Sequence, residues 1–328
     1  MNNPTNPLCR DAGIDVPLIC GPMFPCSNPE LVAAVSEAGG LGMVQPMTLT
    51  SVHGFEFRAG LRRIRELTAK PIGMNILLEH GFRRYQERMG EWIDIALDEG
   101  VRFFVTALGH PRLVTDRIHA AGGVVYHDVV GRGFAVKAME ADVDGLICVN
   151  NRAGGHAGRR TPERLLEEMS DLGVPLVCAG GLATPEDFRG ALDLGYAGVQ
   201  MGTRFIATDE CDAHPAYKAA LVSHGADDVV LTEKLTGVPV SVLRTPSIDR
   251  LGLKATGLER WLLSNTRTKK WMRTWYLGRS MRRLPSGAKG GSPYKHIWQA
   301  GKSVEGVRSV VPAGEVVRSC ARIMEDPS

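Results

Sequence analysis

Among nine histidines, one stands in surroundings that suit chemistry. His156 lies in Asn150-Asn151-Arg152-Ala153-Gly154-Gly155-His156-Ala157-Gly158, between glycine corners that let a backbone come close to a ligand. Imidazole is the side chain whose ordinary pKa suits it to move a proton near neutral pH. The apolar run Gly145-Leu146-Ile147-Cys148-Val149 before it reads as a buried strand. Thr161-Pro162-Glu163-Arg164 after it reads as a helix start, with a capping hydroxyl, a proline at the first position and an acidic first turn. The histidine therefore belongs in a loop leaving a strand. Taken alone, such a loop also fits an exposed surface turn.

Two further corners share this grammar. Ala179-Gly180-Gly181 follows the run Val174 to Cys178 and precedes a helix capped at Thr184, and Met201-Gly202-Thr203-Arg204 closes the run Ala197 to Met201. Glycines followed by a helix N-terminus present backbone N–H groups that donate to phosphate oxygens. Gly21-Pro22-Met23, Gln45, Asn75 and Asp128 end other apolar runs.

The elements that must position these residues alternate regularly. Short apolar runs begin near Pro17, Leu41, Pro71, Val101, Val124, Gly145, Val174 and Ala197, and helical patterns separate them. Runs apolar on both faces are parallel strands covered by helices, and eight βα units in succession predict a closed (β/α)8 TIM barrel of the α/β class. An open doubly wound sheet would need a dinucleotide fingerprint after the first strand, and Gly21-Pro22-Met23-Phe24 is not one. In the barrel, residues after each strand converge on one mouth, and phosphate sites form from the loops after strands seven and eight. The expected organisation is a barrel over 1–224, a mostly helical cap over 225–302 that covers the mouth, and a C-terminal helix within 303–328 that returns to the barrel.

Composition narrows the function classes. The chain has 328 residues, is 44% hydrophobic and carries a formal net charge of +3, which does not by itself imply nucleic acid. Its seven cysteines form no Cys-x-x-Cys pair, so reduced thiols and a cytoplasmic location are expected. The N-terminus has no signal-peptide pattern, no apolar run is long enough to span a membrane, and no His/Cys spacing matches a metal site. A thiol nucleophile at Cys26 or Cys178 has no activating partner in the sequence. His127, beside Asp128, is a secondary candidate for the site; the other histidines read as surface or capping residues.

In order along the chain, Gly21-Pro22-Met23, Pro71-Ile72-Gly73-Met74-Asn75, Ala153-Gly154-Gly155-His156-Ala157-Gly158, Ala179-Gly180-Gly181, Met201-Gly202-Thr203-Arg204-Phe205 and Trp298-Gln299-Ala300-Gly301 resemble the nitronate monooxygenase family. That group was formerly called 2-nitropropane dioxygenase, and its relatives include flavin-dependent enoyl-ACP reductases and NADH:quinone reductases. The resemblance covers nearly the whole chain, least so from Leu258 to Tyr294. It implies an FMN flavoprotein, with Gly180, Gly181, Gly202 and Thr203 holding the phosphate. Pro22, Met23, Asn75, Gln200, Met201 and Gln299 would lie near the flavin, and His156 would be the catalytic base or acid. Asp128 departs from the pattern, because several relatives carry a basic or neutral residue there. A carboxylate beside a reduced, anionic flavin would be repelled, so Asp128 is expected either to turn away or to bond the ribityl hydroxyls.

The resemblance implies an oxidoreductase that oxidises alkyl nitronates with O2 to a carbonyl compound and nitrite. The alternative is an NAD(P)H-dependent flavin reductase acting on an enoyl thioester or quinone, with NAD(P)H as reductant. The basic segment of Arg260, Arg267, Lys269, Lys270, Arg273, Arg279, Arg282 and Arg283, interleaved with Trp261, Leu262, Trp271, Trp275 and Tyr276, fits a solvated cap face. It also fits attraction of a small anionic substrate or contact with acidic lipid; nucleic acid is not expected. Oligomeric state is left open by the sequence.

Overall fold

The computed structural model describes residues 5–78, 83–235, 238–254 and 297–325. Eight parallel strands close into a barrel in sequence order: β1 (Leu18–Cys20), β2 (Leu41–Val44), β3 (Ile72–Leu77), β4 (Phe103–Ala107), β5 (Val124–Val129), β6 (Gly145–Val149), β7 (Leu176–Ala179) and β8 (Gly198–Met201), with β8 pairing back onto β1. The strand–helix alternation read from the sequence is thus the observed architecture, an eight-stranded TIM barrel.

Because side chains alternate across a strand, the barrel has two cores. Ile19, Met43, Phe103, Val105, Tyr126, Ile147 and Val177 fill its interior, and a larger cluster lies between the strands and the surrounding helices. Helix α1 (Pro7–Ala12) contributes Leu8, Cys9 and Ala12 to the inner cluster and plugs the N-terminal end. There the Tyr126 hydroxyl donates to Asp11 at 2.9 Å. The other end of the interior remains for the site.

Helix starts follow their sequence signals. Thr161 caps the helix Pro162–Met169, and Thr184 with Asp187 forms a reciprocal capping box on the helix Pro185–Leu194; each cap is worth about 1 kcal/mol. The C-terminal helix Ala313–Glu325 packs between Pro185–Leu194 and the helix Pro29–Glu37, burying Val316, Val317 and Cys320. It takes its place in the outer layer between the helices that follow β7 and β1.

Between 225 and 254 the βα rhythm is replaced by an antiparallel hairpin, β9 (Val229–Thr232) with β10 (Val240–Leu243), and the short helix Pro246–Leu251. The described part of 225–302, expected to be mostly helical, thus includes a β-hairpin. The basic segment 258–283 lies outside the described residues.

Candidate active site

The loop that carries His156 is over-determined by hydrogen bonds. Asn150 is fully buried. Its side-chain amide donates to Gly180 O at 2.8 Å, and its Oδ1 accepts from the Arg152 N–H at 2.8 Å. Gly158 N–H donates to Asn150 O, Asn151 N–H to Arg160 O, and Ala157 N–H to Gly155 O, which folds a tight turn centred on His156. The cap reaches the same loop: Ser241 N–H donates to Gly155 O at 2.8 Å, and Lys302 N–H to Arg152 O at 2.9 Å. His156 itself is exposed on this fixed turn.

The segment 297–301 lies over the loop. Val242 bridges to Gln299, Leu243 N–H donates to Trp298 O, and the Trp298 ring stacks on Tyr217 at 5.4 Å and 5°. The Tyr217 hydroxyl donates to Gln299 O. Gly301 and Gly154 pass so closely that a Cβ on either would meet the other's backbone at 2.6–2.9 Å, so glycine is needed there for close approach rather than for flexibility. Gly301 N–H donates to Thr203 Oγ1 at 2.9 Å. A Cβ at Gly155 would lie 3.9 Å from the Gln299 amide oxygen. His156, Gln299 and Thr203 thus belong to one packed assembly.

Gly180 and Gly181 have φ of +117° and +78°, a region that side chains strongly disfavour. A Cβ at Gly180 would overlap Asn150 Oδ1 and the Ala153 amide nitrogen, and one at Gly181 would meet the Arg152 side chain. The β7 corner is therefore folded against the histidine loop. A cavity of about 590 Å³ opens beside this corner, bounded by Arg152, Thr161, Glu163, Glu186 and Lys302 among others. At the β8 corner, Gly202 caps the short helix Thr203–Ile206 without a side-chain acceptor, which leaves first-turn N–H groups for a ligand. Arg204 is buried and donates to Ala207 O and Ser309 O; it ties this corner to the C-terminal segment.

Alternation along the strands puts Gln45, Asn75, Asp128 and Gln200 on the inner face at the mouth end, above the apolar interior. Gln45 accepts from Thr48 N–H, and Asn75 donates to Val105 O at 3.2 Å. Asp128 Oδ1 and Gln200 Oε1 are different: both are buried and have no hydrogen-bond partner. Burial pushes the Asp128 carboxyl up to about 7. Gly21 lies against the Gln200 side chain, and Met23 against Gly202, so the β1 and β8 loops meet. Pro22 is half-buried beside them. Met201 behaves differently from Gln200: its side chain packs in the outer core and its carbonyl accepts from Gly21 N–H, so no Met201 side chain reaches the mouth. His127 also points away from the interior. It contacts Thr106 Oγ1 through Nδ1 at 2.8 Å, and burial and then nearby His110 push it down to about 4. It is a buried neutral imidazole rather than a site residue.

The residues present suit a flavin phosphate and a polar ring system. Two consecutive glycines in left-handed conformations and an uncapped helix start offer backbone donors. Two orphaned polar atoms face the mouth, and buried polar atoms ordinarily have partners. Among the described residues no cluster of His, Cys, Asp and Glu could hold a metal, and none of their helices is long and apolar enough to cross a membrane. All seven cysteines are buried and none forms a disulfide, and burial pushes the Cys178 thiol up to about 12, far from thiolate chemistry. Reading the sequence missed Asn150, Ser241 and Tyr217 as supports of the histidine loop. The paired asparagines at the end of β6 were the available signal for the first, since Asn side chains commonly fold their own backbone.

Comparison with known proteins agrees with this geometry. The model of the nitronate monooxygenase family matches residues 6–322. A Mycobacterium tuberculosis (strain ATCC 25618 / H37Rv) protein named (3aS,4S,5R,7aS)-5-hydroxy-7a-methyl-1-oxo-octahydro-1H-indene-4-carboxyl-CoA dehydrogenase is 32% identical over 257 residues, 76% of this chain and 70% of that protein. A nitronate monooxygenase of Pseudomonas aeruginosa is 29% identical over 276 residues, 71% of this chain and 78% of that protein. The structure of FabK from Thermotoga maritima superposes with a TM-score of 0.79 at 25% identity, over 97% of this chain and 95% of that one. Together with the barrel and the glycine-histidine loop at its mouth, the match establishes that this chain belongs to the nitronate monooxygenase family and is an oxidoreductase.

Proposed function

We propose that this chain is an FMN-dependent enzyme that oxidises alkyl nitronates, with O2, to a carbonyl compound and nitrite. The observation that carries the reading is the placement of His156. It is an exposed imidazole on a turn fixed from the barrel side by Asn150 and from the cap side by Ser241, at the mouth where two buried polar atoms lack partners. General base catalysis needs a basic side chain held in place, and this loop holds an imidazole on a fixed turn. His156 removes the α-proton of a neutral nitroalkane; a nitronate, already deprotonated, does not need that step. Gly180, Gly181, Gly202 and Thr203 hold the cofactor phosphate through backbone N–H groups, while Pro22, Met23, Asn75, Gln200 and Gln299 line the space beside the ring. When bound, FMN supplies the electron acceptance and the reaction with oxygen.

A second reading has its own support. The Mycobacterium tuberculosis relative is named a carboxyl-CoA dehydrogenase, and FabK superposes over nearly the whole chain. On that reading His156 handles a proton at a carbon next to a thioester carbonyl, with NAD(P)H supplying hydride or NAD(P)+ accepting it. Both readings require an acidic or electrophilic carbon beside a strong electron-withdrawing group.

Anaerobic mixing of the purified protein with a nitronate, NADH or NADPH separates them. Fast bleaching of flavin absorbance by the nitronate is the expected result. Bleaching by NAD(P)H alone, followed by reoxidation with an enoyl-CoA, would replace the first reading with the second. Absence of a flavin spectrum after reconstitution with FMN would remove both.

A further inference from the structure

The inward face of β5 carries one acidic side chain at the mouth. Asp128 follows Tyr126 and Val124 on that face, and it pairs in register with Ile147 of β6. Its Oδ1 is buried without a partner. A carboxylate with one oxygen buried in this state would be costly, because nothing replaces the hydration lost there. A buried carboxylic acid costs much less and offers an O–H to whatever lies opposite.

Among the described residues, the groups around Asp128 give it no countercharge. On its own strand His127 points outward to Thr106, and Tyr126 below it donates to Asp11. On the β4 side stand Ala107 and, in the following loop, His110, whose influence falls on His127. On the β6 side Ile147 and Val149 are apolar; Cys148 sits on the outer face, where burial and the charges of Cys178 and Asp128 raise its thiol. His156 lies in the loop beyond. The cations after β5 are committed elsewhere, Arg132 to Asp171 and Arg160 to Glu168. Across the mouth, Asn75 spends its amide on Val105 O, and Gln200 presents a second unpartnered oxygen. Burial dominates and the described residues supply no opposing charge, so the carboxyl is pushed up to about 7.

We propose that Asp128 is a cofactor ligand in its protonated form, donating a hydrogen bond to an acceptor atom of the bound flavin, so that flavin binding and proton binding at Asp128 are linked. The assignment rests on the FMN reading above and adds to it a specific proton. It also removes the conflict of an anion set beside a flavin that becomes anionic on reduction. A neutral acid is not repelled, and added negative charge opposite it strengthens its hold on the proton. The donor is an O–H that Asp128 keeps, so no group is transferred and no further reactant is needed.

Linkage sets the expected signature. If FMN binds the protonated form, affinity is constant below the carboxyl's pKa and falls roughly tenfold per pH unit above it. FMN titrations of the apoprotein, followed by quenching of flavin fluorescence over about pH 5.5 to 8.5, should show this fall in the wild type. Asp128→Asn, which cannot ionise but keeps donor N–H groups, should lose it and bind more tightly than wild type at the upper end. Titration of the FMN phosphate is common to both proteins and cancels in the comparison. Parallel pH curves for the two proteins would overturn the assignment while leaving FMN binding intact. No FMN binding by the wild type at any pH would overturn the FMN reading and Asp128's role with it. Should Asp128→Asn fail to fold, the wild type alone decides: FMN-minus-apo infrared spectra at about pH 8 must gain the carbonyl band of a protonated carboxylic acid. Absence of that band overturns the proposal.

Discussion

Asp128→Asn also makes a prediction about the protein without any cofactor. In the unfolded chain the carboxyl titrates near 3.9, whereas burial in the folded barrel pushes it up to about 7. The folded state therefore binds this proton more tightly. Below about pH 4 both states are protonated and Asp128 contributes no penalty. As pH rises from about 4 to about 7, the unfolded chain gains stability by ionising while the folded chain does not, so folding stability falls; above about 7 the loss is constant. A shift of about three units at about 1.4 kcal/mol each gives about 4 kcal/mol as an upper bound. The side chain as a whole is only half-buried, so solvent relaxation reduces the expected penalty to about 2–3 kcal/mol. Asparagine has no such titration, so the stability of Asp128→Asn relative to wild type must climb by about that amount between about pH 4.5 and pH 8. The unpaired amide adds a constant offset and does not change the slope. Urea denaturation of both apoproteins across this range, compared by midpoint at equal m, measures the difference. A difference that stays flat with pH would refute the claim that Asp128 is held neutral by burial, because every other titrating group cancels between the two proteins.

Three other expectations follow from the site. His156→Ala should retain FMN and fold normally, since the side chain is exposed, but should slow turnover of a neutral nitroalkane by about 100-fold or more with little effect on the nitronate; equal loss on both substrates would remove the base role. Gly180→Ala places a Cβ against Asn150 Oδ1 at a positive φ and should cost about 1–3 kcal/mol, together with FMN affinity; unchanged thermal stability would contradict the observed corner. Asn150→Ala removes the bond to Gly180 O and the acceptor for Arg152 N–H, leaving buried backbone groups unpaired at about 1–3 kcal/mol; hydrogen exchange at Arg152 that matched wild type would show that the loop is held by other means.

Much of this protein was legible in the residues themselves. The period of apolar runs and helix caps gave the barrel, because a strand buried on both faces cannot be polar on either. Thr161-Pro162-Glu163 and Thr184-Pro185-Glu186-Asp187 marked helix starts through local capping chemistry that needs no tertiary context. The glycine corners at 154–155, 180–181 and 202 are where the backbone turns or is approached, and a barrel places such strand ends on one mouth. What proximity depends on was not legible. The crossing of Gly301 over Gly154, the stacking of Trp298 on Tyr217 and the hydrogen bond from Ser241 to Gly155 join residues tens to hundreds of positions apart. Side-chain direction was a second gap: neighbouring residues Gln200 and Met201, or His127 and Asp128, face opposite sides of the wall, and only register says which one meets the interior. Charge state was the third. The sequence presents Asp128 as an anion in conflict with a flavin. Only the folded barrel, by burying one of its oxygens with no cation beside it among the described residues, strengthens its hold on the proton.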